Sequence, residues 1–147
     1  MTTVVKVGND DVVLDADDCV FSEVAMNDFL RKHPAKYDYL HNKHSEANFV
    51  LNRLNDLLEA TEAKWFCEYK SRATGSDKVC ESHVAKEEEV VEFKKKVAMA
   101  KRAKDLIWGH LRSMDRAYEA AKEMCYNLRK EMDKLNPYVK RDMNLEH

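Results

Sequence analysis

The chain has 147 residues and a formal net charge of −2, and it contains only three glycines and two prolines. An average soluble protein carries about 12 % of these two residues together, so this chain has few tight turns, which excludes a sandwich or barrel of many short strands. Charged residues make up 35 % of the chain and hydrophobic residues 44 %. Long charged helices around an apolar core satisfy both fractions, and the length predicts a single domain.

The small net charge excludes a protein that is basic as a whole, so nucleic-acid binding would require a local patch of cations. No apolar run is long enough for a membrane span, and the first residues do not form a signal peptide, so we expect no membrane partner. The cysteines are widely spaced, as free thiols in a reducing compartment are. They are Cys19, Cys67, Cys80 and Cys125. We therefore expect a cytoplasmic protein, in the host cytoplasm if the chain is viral.

Residues 1–14 predict a small β-hairpin. Two runs rich in β-branched residues, Thr3–Val7 and Val12–Leu14, flank the turn-forming residues 8–11. An isolated hairpin is marginally stable in water. We therefore expect this segment either to dock on the rest of the chain or to remain a loosely ordered arm.

Residues 15–137 are predicted to form a single helical domain. The segment Asp15-Ala16-Asp17-Asp18 offers N-cap residues for a short helix that runs to about Lys32, where His33-Pro34 ends it and Pro34 begins a new helix. From Tyr37 to Trp65, apolar side chains recur at intervals of three and four residues, which is the heptad spacing. Residues 73–77, Ala-Thr-Gly-Ser-Asp, are expected to form the loop that follows.

The same spacing resumes from Val90 to Leu135 and predicts a second long helix that ends at Asn136-Pro137. Residues 138–147 would then form a tail, whose last residues Leu145-Glu146-His147 are typical of a cloning tag. The predicted fold is all-α apart from the N-terminal hairpin: an antiparallel helical hairpin of two long heptad helices plus one shorter helix. The unequal lengths of the two long helices predict an oligomer, because part of the longer helix lacks a partner.

Cations concentrate in the second long helix and around the loop, and they are candidate DNA-binding residues because a row of cations can neutralise phosphates. Trp65 and Tyr69 lie among them in the sequence and are candidates for stacking on unpaired bases. The alternative is a solvated face on which glutamates pair weakly with the lysines, with Trp65 as a core residue. The candidate cations are Lys64, Lys70, Arg72, Lys94, Lys95, Lys101 and Arg102.

The chain contains no motif of a known catalytic centre. It lacks the Gly-x-Ser-x-Gly turn, a glycine-rich phosphate loop and His-Glu-x-x-His. Cys80-x-x-His83 beside Cys67, and His41-x-x-His44, are incomplete as zinc sites. We therefore expect a protein that is not an enzyme and that holds neither a metal nor a cofactor.

Three stretches of the chain carry a resemblance to a known family. The first resembles the start of a long helix. The second resembles a basic and aromatic helix end that leads into a polar loop, and the third resembles the beginning and the end of a last helix. They are His33-Pro34-Ala35-Lys36-Tyr37 with Tyr39-Leu40 and Lys43-His44-Ser45; Ala63-Lys64-Trp65-Phe66-Cys67-Glu68-Tyr69-Lys70-Ser71; and Glu89-Val90-Val91-Glu92-Phe93 with Leu111-Arg112-Ser113-Met114-Asp115-Arg116-Ala117-Tyr118. Over residues 33–130 the chain resembles the UvsY-type recombination mediators of T-even-like bacteriophages.

This resemblance implies a protein that binds single-stranded DNA and assembles into a ring-like homo-oligomer, a hexamer or heptamer. It also implies that the protein helps a RecA-like recombinase to displace a single-strand-binding protein. Basic residues just before the loop are associated with DNA contact in the family, and Lys64, with Lys70 and Arg72 nearby, stands at the matching positions. A coiled-coil protein-interaction module, for instance a phage-encoded inhibitor of a host enzyme, stays open as the alternative function.

Overall fold

The computed structural model describes residues 1–72 and 75–143, and it describes side chains as far as residue 135. The fold is mostly helical with a small N-terminal β-hairpin, which confirms the predicted class. The elements are strands β1 (Thr2–Val7) and β2 (Asp10–Asp15), a 3-10 helix (Ala16–Cys19), and helices α1 (Met26–Arg72), α2 (Asp77–Lys86) and α3 (Glu88–Met143).

The β-hairpin is antiparallel, with Val7 opposite Asp10, which leaves Gly8 and Asn9 as a two-residue turn. Gly8 has a φ of 61°, and a glycine with positive φ in the first turn position suits the type II′ turn of a tight hairpin. One face of the hairpin is buried in a common core with α1 and α3, so the segment is docked. Its buried side chains are Val5, Val7, Val12 and Leu14.

Helices α1 and α3 lie side by side in opposite directions, because the residue numbers of contacting pairs rise along one helix and fall along the other. Such pairs are His33 with Met114, His44 with Trp108, and Trp65 with Glu89. Large apolar side chains at most 1 % exposed fill the space between these helices and the hairpin. They are Val12, Leu40, Ile107, Leu111 and Met114. These side chains form the core at the middle of the molecule, and full burial of one of them stabilises the fold by about 1.5–3 kcal/mol.

Pro34 lies inside α1, so the predicted helix boundary at His33-Pro34 is wrong. An internal proline removes one backbone hydrogen bond and costs about 3 kcal/mol. The neighbouring His33 is 7 % exposed and donates from Nε2 to the carbonyl oxygen of Met114 at 3.1 Å. Its ring also stacks on Tyr118, with the ring centroids 4.4 Å apart. These contacts with α3 offset the cost of the proline, so tertiary contacts override the local signal.

The prediction of a short helix from residues 15–18 to about Lys32 is also wrong. The Asp15 side chain does cap a helix, because its carboxylate accepts a hydrogen bond from the backbone N–H of Asp17 at 3.1 Å. That helix is a single 3-10 turn, and α1 begins only at Met26.

The shorter helix of the fold is instead α2, which separates the predicted loop from α3. Ser76 stands at its N-cap position and Asp77 in its first turn. Glu87 interrupts the helical path in an extended conformation (φ −62°, ψ 132°). Its N–H donates to the carbonyl of Val84 at 3.1 Å and its own carbonyl accepts from Val91 at 2.9 Å, so the break leaves neither group unpaired.

The helix α3 continues to Met143, so the prediction that Asn136-Pro137 ends it is wrong. An interior proline removes one backbone hydrogen bond and disfavours the helix, but it does not by itself have to end it. Residues 138–143 therefore belong to α3, whereas the tag-like residues 145–147 and the loop residues 73 and 74 lie outside the described residues. Near this end, Met132 and Leu135 are 68 % and 63 % exposed, which leaves apolar side chains uncovered.

Candidate nucleic-acid interface

The aromatic candidates Trp65 and Tyr69 lie on the last turns of α1, where α2 folds back and α3 begins. We call this region the helix junction, defined by residues 59–72, α2 and residues 87–96. The indole Nε1 of Trp65 donates to Oε2 of Glu89 at 3.0 Å. The hydroxyl of Tyr69 donates to the carboxylate of Glu87, and this bond, together with burial, raises the pKa of the phenol. Both rings are half-buried, as expected of the side chains that help to hold the junction together.

Three cations at the end of α1 also have carboxylate partners. Lys64 Nζ lies 3.8 Å from Oε2 of Glu89, and Arg72 Nη2 lies 2.8 Å from Oε1 of Glu68. Lys70 is paired with Asp77, and this hydrogen bond is the main cause of the raised pKa of the Lys70 ammonium. Exposed ion pairs of this kind contribute about 0–1 kcal/mol each, so they neutralise the cations without holding them firmly.

Trp65 lines a groove in which a single lysine, Lys96, is outnumbered by four glutamates, which are Glu87, Glu88, Glu89 and Glu92. A base stacked on the indole would bring its phosphate among these carboxylates, where like charges repel. The geometry around Trp65 and Tyr69 thus favours their packing role over base stacking.

The cationic candidates on α3 begin at the edge of the junction, with Lys94 and Lys95, and continue away from it to Lys101 and Arg102. Residues 93–104 contain six lysines or arginines and no aspartate or glutamate. Four exposed cations of this stretch, Lys94, Lys95, Lys101 and Arg102, are called the cationic face. Lys94 and Lys101, like Lys95 and Arg102, are seven residues apart, so each pair lies on one side of the helix about 10 Å apart.

Two of these four cations form ion pairs with carboxylates, and both pairs are weak. Lys94 Nζ is 3.9 Å from Oε1 of Glu62 and Lys95 Nζ is 3.3 Å from Oε1 of Glu92. Among the described residues, Lys101 and Arg102 form no ion pair with a carboxylate. The structure therefore brings Lys64, Lys70 and Arg72 together at the junction and places Lys101 and Arg102 farther along α3.

Lys96 belongs to the same basic cluster of the sequence but is not among the candidate residues; it is exposed and, within the part of the chain that is described, makes no ion pair either. Its ammonium lies 5.4 Å from the ring centroid of Phe93. The lack of acidic residues in 93–104, which the sequence alone displays, would have added it to the candidates. The carboxylate partners of Trp65 and Tyr69 could not be read in the same way, because they are 24 and 18 residues away along the chain.

The described residues contain no cluster of three or more potential metal ligands among histidine, cysteine, aspartate and glutamate. Cys80 is 1 % exposed, whereas Cys67 is exposed, and the ring of His83 stacks on Tyr69 at a centroid distance of 5.2 Å. Over the same part of the chain, no helix combines the length and the apolar character that a membrane crossing requires.

Comparison of the chain with protein-family models, with curated proteins and with solved structures finds no match. The resemblance to recombination mediators therefore stays a prediction from the sequence. The function of the chain has to be inferred from its own side chains.

Proposed function

We propose that this protein binds single-stranded DNA through the cationic face of α3 and acts as a recombination mediator. The observation that supports DNA binding is the run of residues 93–104, which holds six cations and no carboxylate. The further step, in which the protein loads a RecA-like recombinase by displacing a single-strand-binding protein, rests on the resemblance to UvsY-type mediators.

Phosphates can reach the cationic face at little cost. The partners of Lys94 and Lys95 are themselves exposed, with glutamate side chains 40 % and 56 % accessible. Such pairs contribute about 0–1 kcal/mol, so exchanging a glutamate for a phosphate loses little. Each phosphate contact also releases condensed counterions, which drives binding at low salt.

A homo-oligomer would bind DNA more tightly than a single subunit does. Binding of a second subunit to the same strand becomes intramolecular, which multiplies modest affinities through effective concentration. The exposed Met132 and Leu135 near the end of α3 support self-association. Covering large apolar side chains with a partner removes them from water, which favours association. The number of subunits, a hexamer or heptamer, comes from the family resemblance.

DNA binding is tested by fluorescence anisotropy of a labelled single-stranded oligonucleotide titrated at several salt concentrations. Replacing Lys101→Ala together with Arg102→Ala should flatten the slope of log affinity against log salt by about 1.4, since each phosphate contact to a single strand contributes about 0.7. The matched control, Lys122→Ala with Lys130→Ala, removes two exposed cations elsewhere on α3 and should leave the slope unchanged. Lack of binding at low salt would overturn the proposal and favour the protein-interaction module.

The loading step is tested with a RecA-like recombinase on single-stranded DNA already coated by a single-strand-binding protein. The protein should shorten the lag before DNA-dependent ATP hydrolysis begins. The Lys101→Ala, Arg102→Ala variant should shorten it less. An unchanged lag with normal DNA binding would retain the DNA-binding proposal and reject the mediator role.

A further inference from the structure

A second surface of the helix junction has a charge opposite to that of the cationic face, and it has an apolar floor. It is a groove of about 540 Å³ between α1 and α2, on the side of the junction where Glu62 meets Lys94, and Trp65 does not line it. Its size falls within the roughly 300–1,000 Å³ of known ligand clefts. We call it the acidic groove.

The floor of the acidic groove is made of apolar side chains from two helices. Phe66 of α1 is half-buried and Val84 of α2 is 6 % exposed. Ala63 and Ala85 line the groove beside them and are exposed. Because alanine fills little space, the floor leaves room for an incoming apolar side chain.

Carboxylates surround this floor. Glu59 and Glu62 come from α1 and Glu81 from α2. Within the described residues, Glu59 and Glu81 form no ion pair, and Glu62 meets Lys94 only at 3.9 Å. The groove thus has three carboxylates for a single lysine, and its field attracts cations and repels phosphates.

We propose that the acidic groove binds a cationic amphipathic segment of another protein. An apolar side chain of that segment would contact Phe66 and Val84, and its lysines or arginines would pair with Glu59 and Glu81. A groove between two helices with apolar contacts below and charges at the rim is typical of the binding of amphipathic helices. This inference does not depend on DNA binding, because the cationic face and the acidic groove share only Lys94 and attract ligands of opposite charge.

The test uses the full chain and a synthetic helical peptide of about 14 residues, with leucines at i, i+3, i+4 and i+7 and arginines on both flanks. Titration calorimetry should show saturable binding. Glu59→Gln with Glu81→Gln should weaken it about fivefold to tenfold, as expected for two partly exposed charge contacts. The control Glu119→Gln with Glu131→Gln changes the net charge equally on the far half of α3 and should bind the peptide as the native chain does.

A second variant tests the apolar floor. Ala85→Leu places a larger side chain in the groove, favours helix as alanine does, and should abolish peptide binding with an unchanged far-ultraviolet circular dichroism spectrum. Equal binding of a scrambled peptide of the same charge, or no binding at all, would overturn the proposal. Competition by free arginine at similar concentration would identify a small-cation site instead. Self-association that disappears in the Glu59→Gln, Glu81→Gln variant would identify a second copy as the occupant, which also overturns it.

Discussion

The middle of the molecule and the helix junction are held together by different proportions of the same forces. At the middle, the β-hairpin, α1 and α3 bury many apolar side chains almost completely, and Ile107 is 0 % exposed. The junction buries fewer, among them Val90 and Cys80, and there Trp65 and Tyr69 are also held by hydrogen bonds to glutamates, with exposed ion pairs around them. Hydrophobic burial does not weaken with added salt, whereas exposed ion pairs are screened. The junction should therefore open more easily than the middle, which suits a region that exchanges its own contacts for those of a ligand.

The largest expected effect is the loss of a core side chain at the middle. Ile107→Ala should lower the free energy of unfolding by about 2–5 kcal/mol, because it removes buried methyl groups and leaves a cavity. Urea unfolding followed by circular dichroism measures this difference. The neighbouring Leu106 is 39 % exposed, and Leu106→Ala should cost much less. Equal losses in both variants would contradict the assignment of the core.

A smaller and local effect is expected at the junction. Glu87→Gln weakens the hydrogen bond from the Tyr69 hydroxyl, since a neutral amide is a poorer acceptor than a carboxylate. Amide hydrogen exchange of α2 should become about threefold to tenfold faster, while exchange at residues 103–114 of α3 stays the same. Faster exchange at both places would mean that the two regions unfold as one unit.

The glutamates of the junction should also limit DNA binding. If the proposed function is right, Glu87→Gln with Glu89→Gln should raise the affinity for a single-stranded oligonucleotide about twofold to fivefold at low salt, because two nearby like charges are removed. The same anisotropy titration measures it. Glu119→Gln with Glu131→Gln, which is equal in charge but distant, should change the affinity less. An unchanged affinity in the junction variant would separate these carboxylates from the DNA site.

The smallest expected effect concerns pH at the middle of the molecule. Burial, with smaller contributions from Lys104 and His41, lowers the pKa of His44, whose ring lies 5.1 Å from that of Trp108. As the pH falls through the unfolded value of about 6.5, the unfolded chain takes up this proton before the folded chain does, so stability decreases. Melting temperatures at neutral and mildly acidic pH should show a smaller decrease for His44→Gln than for the native chain. An identical decrease would mean that other groups cause it.

Much of the fold could be predicted because its signals are local. Two runs of β-branched residues around Gly8 predict the hairpin, and apolar side chains at intervals of three and four predict the long helices. The errors concern the ends of helices. Pro34 predicts a boundary, yet α1 continues through it, and the neighbouring His33 contacts Met114 and Tyr118 of α3. The break at Glu87 has no glycine or proline to mark it.

The sequence by itself determined the hairpin, the two long helices and the cationic stretch 93–104, since these depend on residues close together along the chain. Only the tertiary structure decided which charges face one another. The return of α2 against α1 pairs Tyr69 with Glu87 and Lys70 with Asp77, and it brings Glu81 beside Glu59 and Glu62 in one groove. No local pattern encodes these neighbours, because the contacts join separate helices and depend on how the helices pack.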